Sequence, residues 1–293
     1  MIQLRSEEMG KELRSKPKEI IIAIVITFII TPLLAMLFAN HIGHRIVAIG
    51  YIAANAVPAS SASVAYVMLA GGNIELATVL VILSILIALF AAPTYVAIYA
   101  QSVHIRLPIT VLAQSVIIAL LIPLILGQII RYCLIIRKVK KLTQTSNEDV
   151  EVRKRSENKI MKRIEPYLTI WTIIFMLMLI GVLIANKAEL LISKPSLALY
   201  IISAQLAICS TVILSIIAAS KVLNIGYRDH MAMVFISLTK NQSVAAAMAV
   251  LAIGPAAAVP AALIPAIQPL VAIPYISIAH IIKRILDESD SKK

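Results

Sequence analysis

Residues 231–253 read MAMVFISLTKNQSVAAAMAVLAI, apolar at both ends and interrupted in the middle by SLTKNQ at 237–242. The stretch is 23 residues long, and a helix needs about 20 to cross the hydrocarbon core. Ser, Thr, Lys, Asn and Gln at mid-span are costly in hydrocarbon unless each finds a partner, so the segment reads as a membrane helix that unwinds at its centre. Lys240 lies about 15 Å from the nearer end at ~1.5 Å per residue, too deep for its stem to reach water. No Asp or Glu lies deep in an apolar span, since Glu75 and Asp229 sit at span ends. The partner expected for the ammonium is therefore a carbonyl, a hydroxyl, water or an anionic solute.

A second apolar stretch, 46–70, carries a similar interruption, NAVPASSA at 55–62. Pro58 removes a backbone donor there, and Ser60 and Ser61 can bond the carbonyls it frees. The two interruptions precede similar strings, SVAYVMLAGG from Ser63 and SVAAAMAVLAIG from Ser243. Such small-residue strings also recur by chance and serve close helix packing. The two stretches lie an odd number of spans apart, so they cross the membrane in opposite directions and their likeness reads as an inverted repeat. Broken helices at equivalent places of inverted repeats are the pattern of secondary transporters, because unwound ends present N–H groups and carbonyls to a solute or ion.

The rest of the chain agrees with a membrane environment. Hydrophobic residues make up 60% of the 293 and charged residues 14%, too little polar surface to coat a soluble globule. Eight apolar segments reach membrane-spanning length: 20–40, 46–70, 76–100, 107–130, 167–185, 195–219, 231–253 and 255–282. The expected fold is an all-α polytopic membrane protein, because barrel strands are about half as long and alternate. The net charge of +12 does not point to nucleic acid, since the bases fall between spans. Counting Lys and Arg places 22 on one side against four on the other, with Lys240 left over. By the positive-inside rule both termini are expected in the cytoplasm, with the chain in the plasma membrane.

The expected organisation is a cytoplasmic segment 1–19, a first membrane half 20–136, a basic cytoplasmic linker 137–164, a second half 165–283 and a tail 284–293. The linker, RKVKKLTQTSNEDVEVRKRSENKIMKR, is a solvated loop or a contact for anionic headgroups. The first fifteen residues lack the apolar core of a secretory signal. Cys133 and Cys209 have no metal or disulfide spacing.

The candidate binding residues are Pro58, Ser60, Ser61, Ser63, Lys240, Asn241, Gln242 and Ser243. Asn241, Gln242 and Ser243 serve either as ligands or as partners for freed backbone groups. Thr27, Thr31, Thr78 and Ser84 are weaker candidates, because a lone hydroxyl in a membrane helix usually bonds the carbonyl one turn back. Lys240 is read as the positive charge of the site, or as a group that exchanges a proton during transport. An enzyme is disfavoured: no span pairs carboxylates, and His41, His44, His104, His230 and His280 lie near span ends. No repeated filter string suggests a channel.

In their order along the chain, KPKEIIIAIVITFIITPLLA, AVPASSASVAYVMLAGGNIELATVL, SLTKNQSVAAAMAV and IGPAAAVPAALIPAI resemble the bile acid:sodium symporter superfamily, which includes arsenite efflux permeases. The resemblance implies a panel domain and a core domain with two discontinuous helices crossing in the core. It also implies ten helices, of which the first two fall outside this chain, residues 1–19 resembling the segment between the second and third. Sodium-coupled members carry a Glu and a Gln on the second broken helix, matched here by Ile236 and Lys240. A further Gln is matched by Thr27 and an Asn by Val64, leaving Ser63 as the clean match, with Thr78 and Ser84 as remnants of a sodium site. The Cys of arsenite permeases is matched by Ala59.

The function expected is a sodium-independent or proton-linked carrier of a small anionic organic solute, with no cofactor beyond a coupling ion, proton or sodium. Its partners are the solute and the lipid bilayer. A sodium-dependent bile acid carrier, an arsenite-type permease and a non-transporting membrane scaffold are the alternatives.

Overall fold

The computed structural model describes residues 13–60, 62–131 and 188–290, with isolated positions between 167 and 185. The expected linker and part of the expected fifth span lie outside the described residues. Every regular element among those described is helical. Helix α1 comprises Pro17–Val25, a π turn Ile26–Ile30 and Thr31–Ala39; α2 is Arg45–Ala56, α3 Ala62–Leu69 and α4 Ile74–Ser102. Helix α5 runs from Ile109–Val116 through a π turn Ile117–Leu121 to Ile122–Arg131. Then come α6 (Ala188–Ser193), α7 (Pro195–Leu223), α8 (Tyr227–Leu238), α9 (Gln242–Ala252), a 3₁₀ turn Pro255–Ala258 leading into α10 (Val259–Ser277), and α11 (Ala279–Asp290).

Five of the helical rods are long and apolar enough to cross a membrane: Pro17–Ala39, Ile74–Ser102, Ile109–Gly127, Pro195–Leu223 and Pro255–Ser277. The stretches expected as spans 46–70 and 231–253 are each two short helices, α2 with α3 and α8 with α9. Their first halves form the centre of the protein. Every residue of α2 from Val47 and of α8 from Asp229 onward is buried. The long helices surround them and expose Phe90, Leu214 and Leu270 on the outside. This arrangement follows from solvent chemistry: an interrupted helix is tolerated at membrane depth where protein rather than lipid meets its freed backbone.

Local sequence sets the ends. Asn73 caps α4 by accepting from Leu76 N–H at 3.0 Å, and Asn241 caps α9 by accepting from Val244 N–H at 3.3 Å. Gly254, at φ +124, takes a backbone shape that side chains disfavour. It turns the chain into the 3₁₀ segment that packs on α2. The approach is so close that a Cβ on Gly50 would stand 1.8 Å from the Ala257 carbonyl oxygen.

The last span is shorter than the expected 255–282. Helix α10 ends at Ser277, and the separate α11 buries Ile282 and Leu286 while exposing Lys283 and Arg284. Ending the apolar rod early keeps those two cations out of hydrocarbon.

Candidate functional site at the crossing of two broken helices

Two prolines fix the local chemistry. A proline at position i leaves the carbonyl at i−4 without its helical donor. Pro58 does this to Ala54, whose oxygen accepts instead from Gln242 Nε2 at 3.1 Å. Pro32 does it to Phe28, whose oxygen accepts from the Tyr95 hydroxyl at 2.7 Å. The π turn just before Pro32 redirects one more bond: Thr31 N–H goes to Ile26 O, and Pro32 has no N–H to offer the next carbonyl. Thr27 O is thereby left open, and Lys240 Nζ donates to it at 2.9 Å. The same ammonium lies 5.2 Å from the centre of the Phe28 ring, within cation–π range.

The interruptions themselves meet. Ala59 and Lys240 form an isolated antiparallel bridge, in which Ser60 N–H donates to Thr239 O at 3.0 Å and Asn241 N–H donates to Pro58 O at 2.8 Å. Each broken segment thus supplies one donor and one acceptor to the other. Ala59 N–H donates to Ser84 Oγ at 3.1 Å, Ser63 and Thr239 share a short hydroxyl contact, and Gln268 Nε2 donates to Lys240 O at 3.0 Å. These bonds pair freed backbone groups of both interruptions with protein, as a dry interior favours.

Several of the expected residues come together here. Pro58 and Asn241 bond through their backbones, and Ser60 bonds Thr239. Ser63 is fully buried against Thr239, and Gln242 reaches α2. Thr27 behaves unlike an isolated hydroxyl: its Oγ1 donates across to Ser237 Oγ at 3.0 Å. Thr31 and Thr78 bond carbonyls of their own helices. Thr78 lies six residues before Ser84 on α4, about 9 Å along the axis. Ser243 is exposed on α9. Ser61 lies outside the described residues.

Lys240 is 2% exposed, and among the described residues no carboxylate comes within ion-pairing distance of it. Ile236, one turn earlier, is buried and apolar. A divalent or monovalent cation at this place would meet neutral oxygens and a fixed ammonium, an unfavourable combination by like-charge repulsion. No group of three or more metal-binding side chains occurs among the described residues.

Three deeply buried polar residues were not among the candidates read from the sequence. Asn55 and Gln205 are lone amides buried against each other across α2 and α7, at 3.2 Å. His230 is fully buried between Ser220 and Tyr275, each at 2.8 Å. The signal for the amides was present, because an Asn or Gln in mid-span needs a partner in hydrocarbon. Away from the crossing, a cavity of ≈ 760 Å³ opens at the face where α1, α4 and α8 begin. There Asp229 accepts from Lys16 Nζ at 2.5 Å and from Asn73 Nδ2 at 2.7 Å, tying the three helix starts together.

The family model described as "Sodium Bile acid symporter family" matches residues 1–194. No curated protein matches the chain. The matched region contains the first interruption and ends before the second, so Lys240 lies beyond it.

Proposed function

This chain belongs to the sodium bile acid symporter family, a family of membrane transporters, and from that premise we propose that it is a sodium-independent secondary carrier of a small anionic organic solute. The observation that carries the reading is the Lys240 ammonium, placed at the crossing with a single carbonyl partner and no carboxylate among the described residues. A fixed positive charge at that place takes the role a bound cation plays in an ion-coupled carrier: it neutralises the carbonyls of the crossing and attracts an anion. The half-helix starts at Ala62 and Gln242 add positive backbone ends to the same region. Asn241, half-buried with its Nδ2 free of any described partner, and Ser60 are the polar groups offered to the solute.

We read α1 to α4 and α7 to α10 as two inverted halves, in an eight-span chain that works by alternating access. The reciprocal bridge between Ala59 and Lys240 supports this, since each half contributes the same kind of segment to it. The excess of Lys and Arg supports a cytoplasmic position for the face where α1, α4 and α8 begin.

The test is uptake into proteoliposomes of a panel of small carboxylates under imposed sodium, potassium and proton gradients. The expected outcome is saturable uptake of at least one carboxylate that is indifferent to replacing sodium with potassium. Uptake that requires sodium would return the chain to the sodium-coupled alternative, and no uptake of any carboxylate would favour a scaffold.

A further inference from the structure

The ammonium of Lys240 has three N–H donors, and among the described residues one of them is used, on Thr27 O at 2.9 Å. A buried charge held by so few partners is costly. Close by lies an acceptor with the opposite deficit. Asn55 is fully buried on α2. Both N–H bonds of its amide are committed, one to Tyr51 O at 3.0 Å and one to Gln205 Oε1 at 3.2 Å. Turning the amide over would set its oxygen against those two oxygens, so its orientation is determined. Its Oδ1 is buried with no donor among the described residues. Asn55 and Lys240 line one narrow crevice, together with Gln205, Cys209, Thr31 and Ser237, at the meeting of α1, α2, α7 and α8.

We propose that Asn55 Oδ1 is the second seat of the Lys240 ammonium, which passes between it and Thr27 O during transport, with Gln205 as the residue that holds Asn55 ready. The inference rests on the carrier function proposed above and adds the residues on which the charge moves. Leaving Thr27 costs the ammonium one carbonyl acceptor and gains it one amide acceptor, so the two seats are matched in kind. That match suits a cycle in which neither state is a trap. The competing donor for Asn55 Oδ1 is the Tyr51 hydroxyl, one turn earlier on α2 and likewise buried with no hydrogen-bond partner among the described residues.

The experiment is a double-mutant cycle read by thermal unfolding of the purified protein, beside transport in proteoliposomes. Asn55→Asp gives the second seat a full negative charge. It is expected to hold the ammonium and to lower transport by about tenfold or more; because it also loses the two amide bonds to Tyr51 O and Gln205 Oε1, the reading is the coupling, a Tm at least about 3 °C higher than additivity with Lys240→Met allows. In the Lys240→Met background the same change leaves a lone buried carboxyl and is expected to lower Tm. Tyr51→Phe is expected to leave the coupling between positions 55 and 240 unchanged, and Gln205→Leu to weaken it. Equal Tm shifts for Asn55→Asp with and without Lys240 overturn the proposal, as does a coupling that disappears in Tyr51→Phe. The cycle needs no substrate, so absence of transport by the unmodified protein counts against the carrier function while the Tm coupling still decides the seat.

Discussion

At the scale of single residues, the site is made by what prolines leave undone. Pro58 and Pro32 each free a carbonyl, and the partners of those carbonyls, Gln242 and Tyr95, come from far along the chain. Pro58 and the polar patch 237–242 were legible in the sequence, since both violate the local rule for a membrane helix, whereas Pro32 inside an unbroken apolar run was not singled out. What they pair with was not, because a carbonyl acceptor has no letter of its own. Thr27 illustrates the difference: the sequence offers its hydroxyl, whereas Lys240 bonds its backbone oxygen, available through a π turn that no periodicity announces. The energetics of Lys240→Met follow. Removing a buried ammonium relieves a desolvation penalty of several kcal/mol. Leaving Thr27 O without a donor costs about 1–3 kcal/mol. The variant is expected to unfold at the same temperature as the parent or higher, while losing carboxylate uptake in proteoliposomes. A Tm lowered by more than about 5 °C would mark Lys240 as a structural tie instead.

At the scale of elements, the two interrupted pairs were foreseen and their surroundings only partly. Length and hydropathy place α1, α4, α5 and α7 within a few residues of the expected spans. The end of α10 was missed because Ile281, Ile282, Ile285 and Leu286 continue the apolar spacing into a helix that is amphipathic rather than spanning. The depth at which α2 is enclosed was also hidden, although its alanines and Gly50 are the small residues close packing uses. Contact between α2 and the 3₁₀ turn yields a sharp expectation. Gly50→Ala would put a Cβ 1.8 Å from the Ala257 oxygen, a backbone atom that cannot rotate away, so α2 or the turn must shift. The expected cost is about 1–3 kcal/mol, as for an overpacked core, and it is read as a lowered Tm. Gly43→Ala, where nothing lies within 4 Å of the added atom, serves as the control, with Tm expected to change little.

For the whole molecule, the question is where the protein divides when it moves. The two interruptions are bonded to each other, α1 is bonded to the second of them through Lys240 and Ser237, and α7 is bonded to α2 through Gln205 and Asn55. These contacts bind α1, α2, α7 and α8 into one body, and α10 joins it through Gln268 and Tyr275. Ser84 and Gln242 bond α4 and α9 to the same group, and helix α5 packs on those two while exposing long aliphatic side chains such as Ile118 and Ile125. If the carrier proposed above moves these helices as a unit, the crossing stays closed and the boundary that opens lies near α5. Cys209 on α7 reports on this directly: it is 2% exposed, lines the crevice beside Lys240, and Cys133 can be removed by Cys133→Ser to leave one thiol. A passage of the ammonium from Thr27 O to Asn55 Oδ1 stays inside the body and needs no entry of solvent. Labelling of Cys209 by a membrane-permeant maleimide is therefore expected to be slow, and its rate unchanged when a transported carboxylate is added or a proton gradient imposed. Acceleration by either treatment would place the moving boundary between α7 and α2, through the crossing itself, and the two helices would then have to be treated as separate bodies.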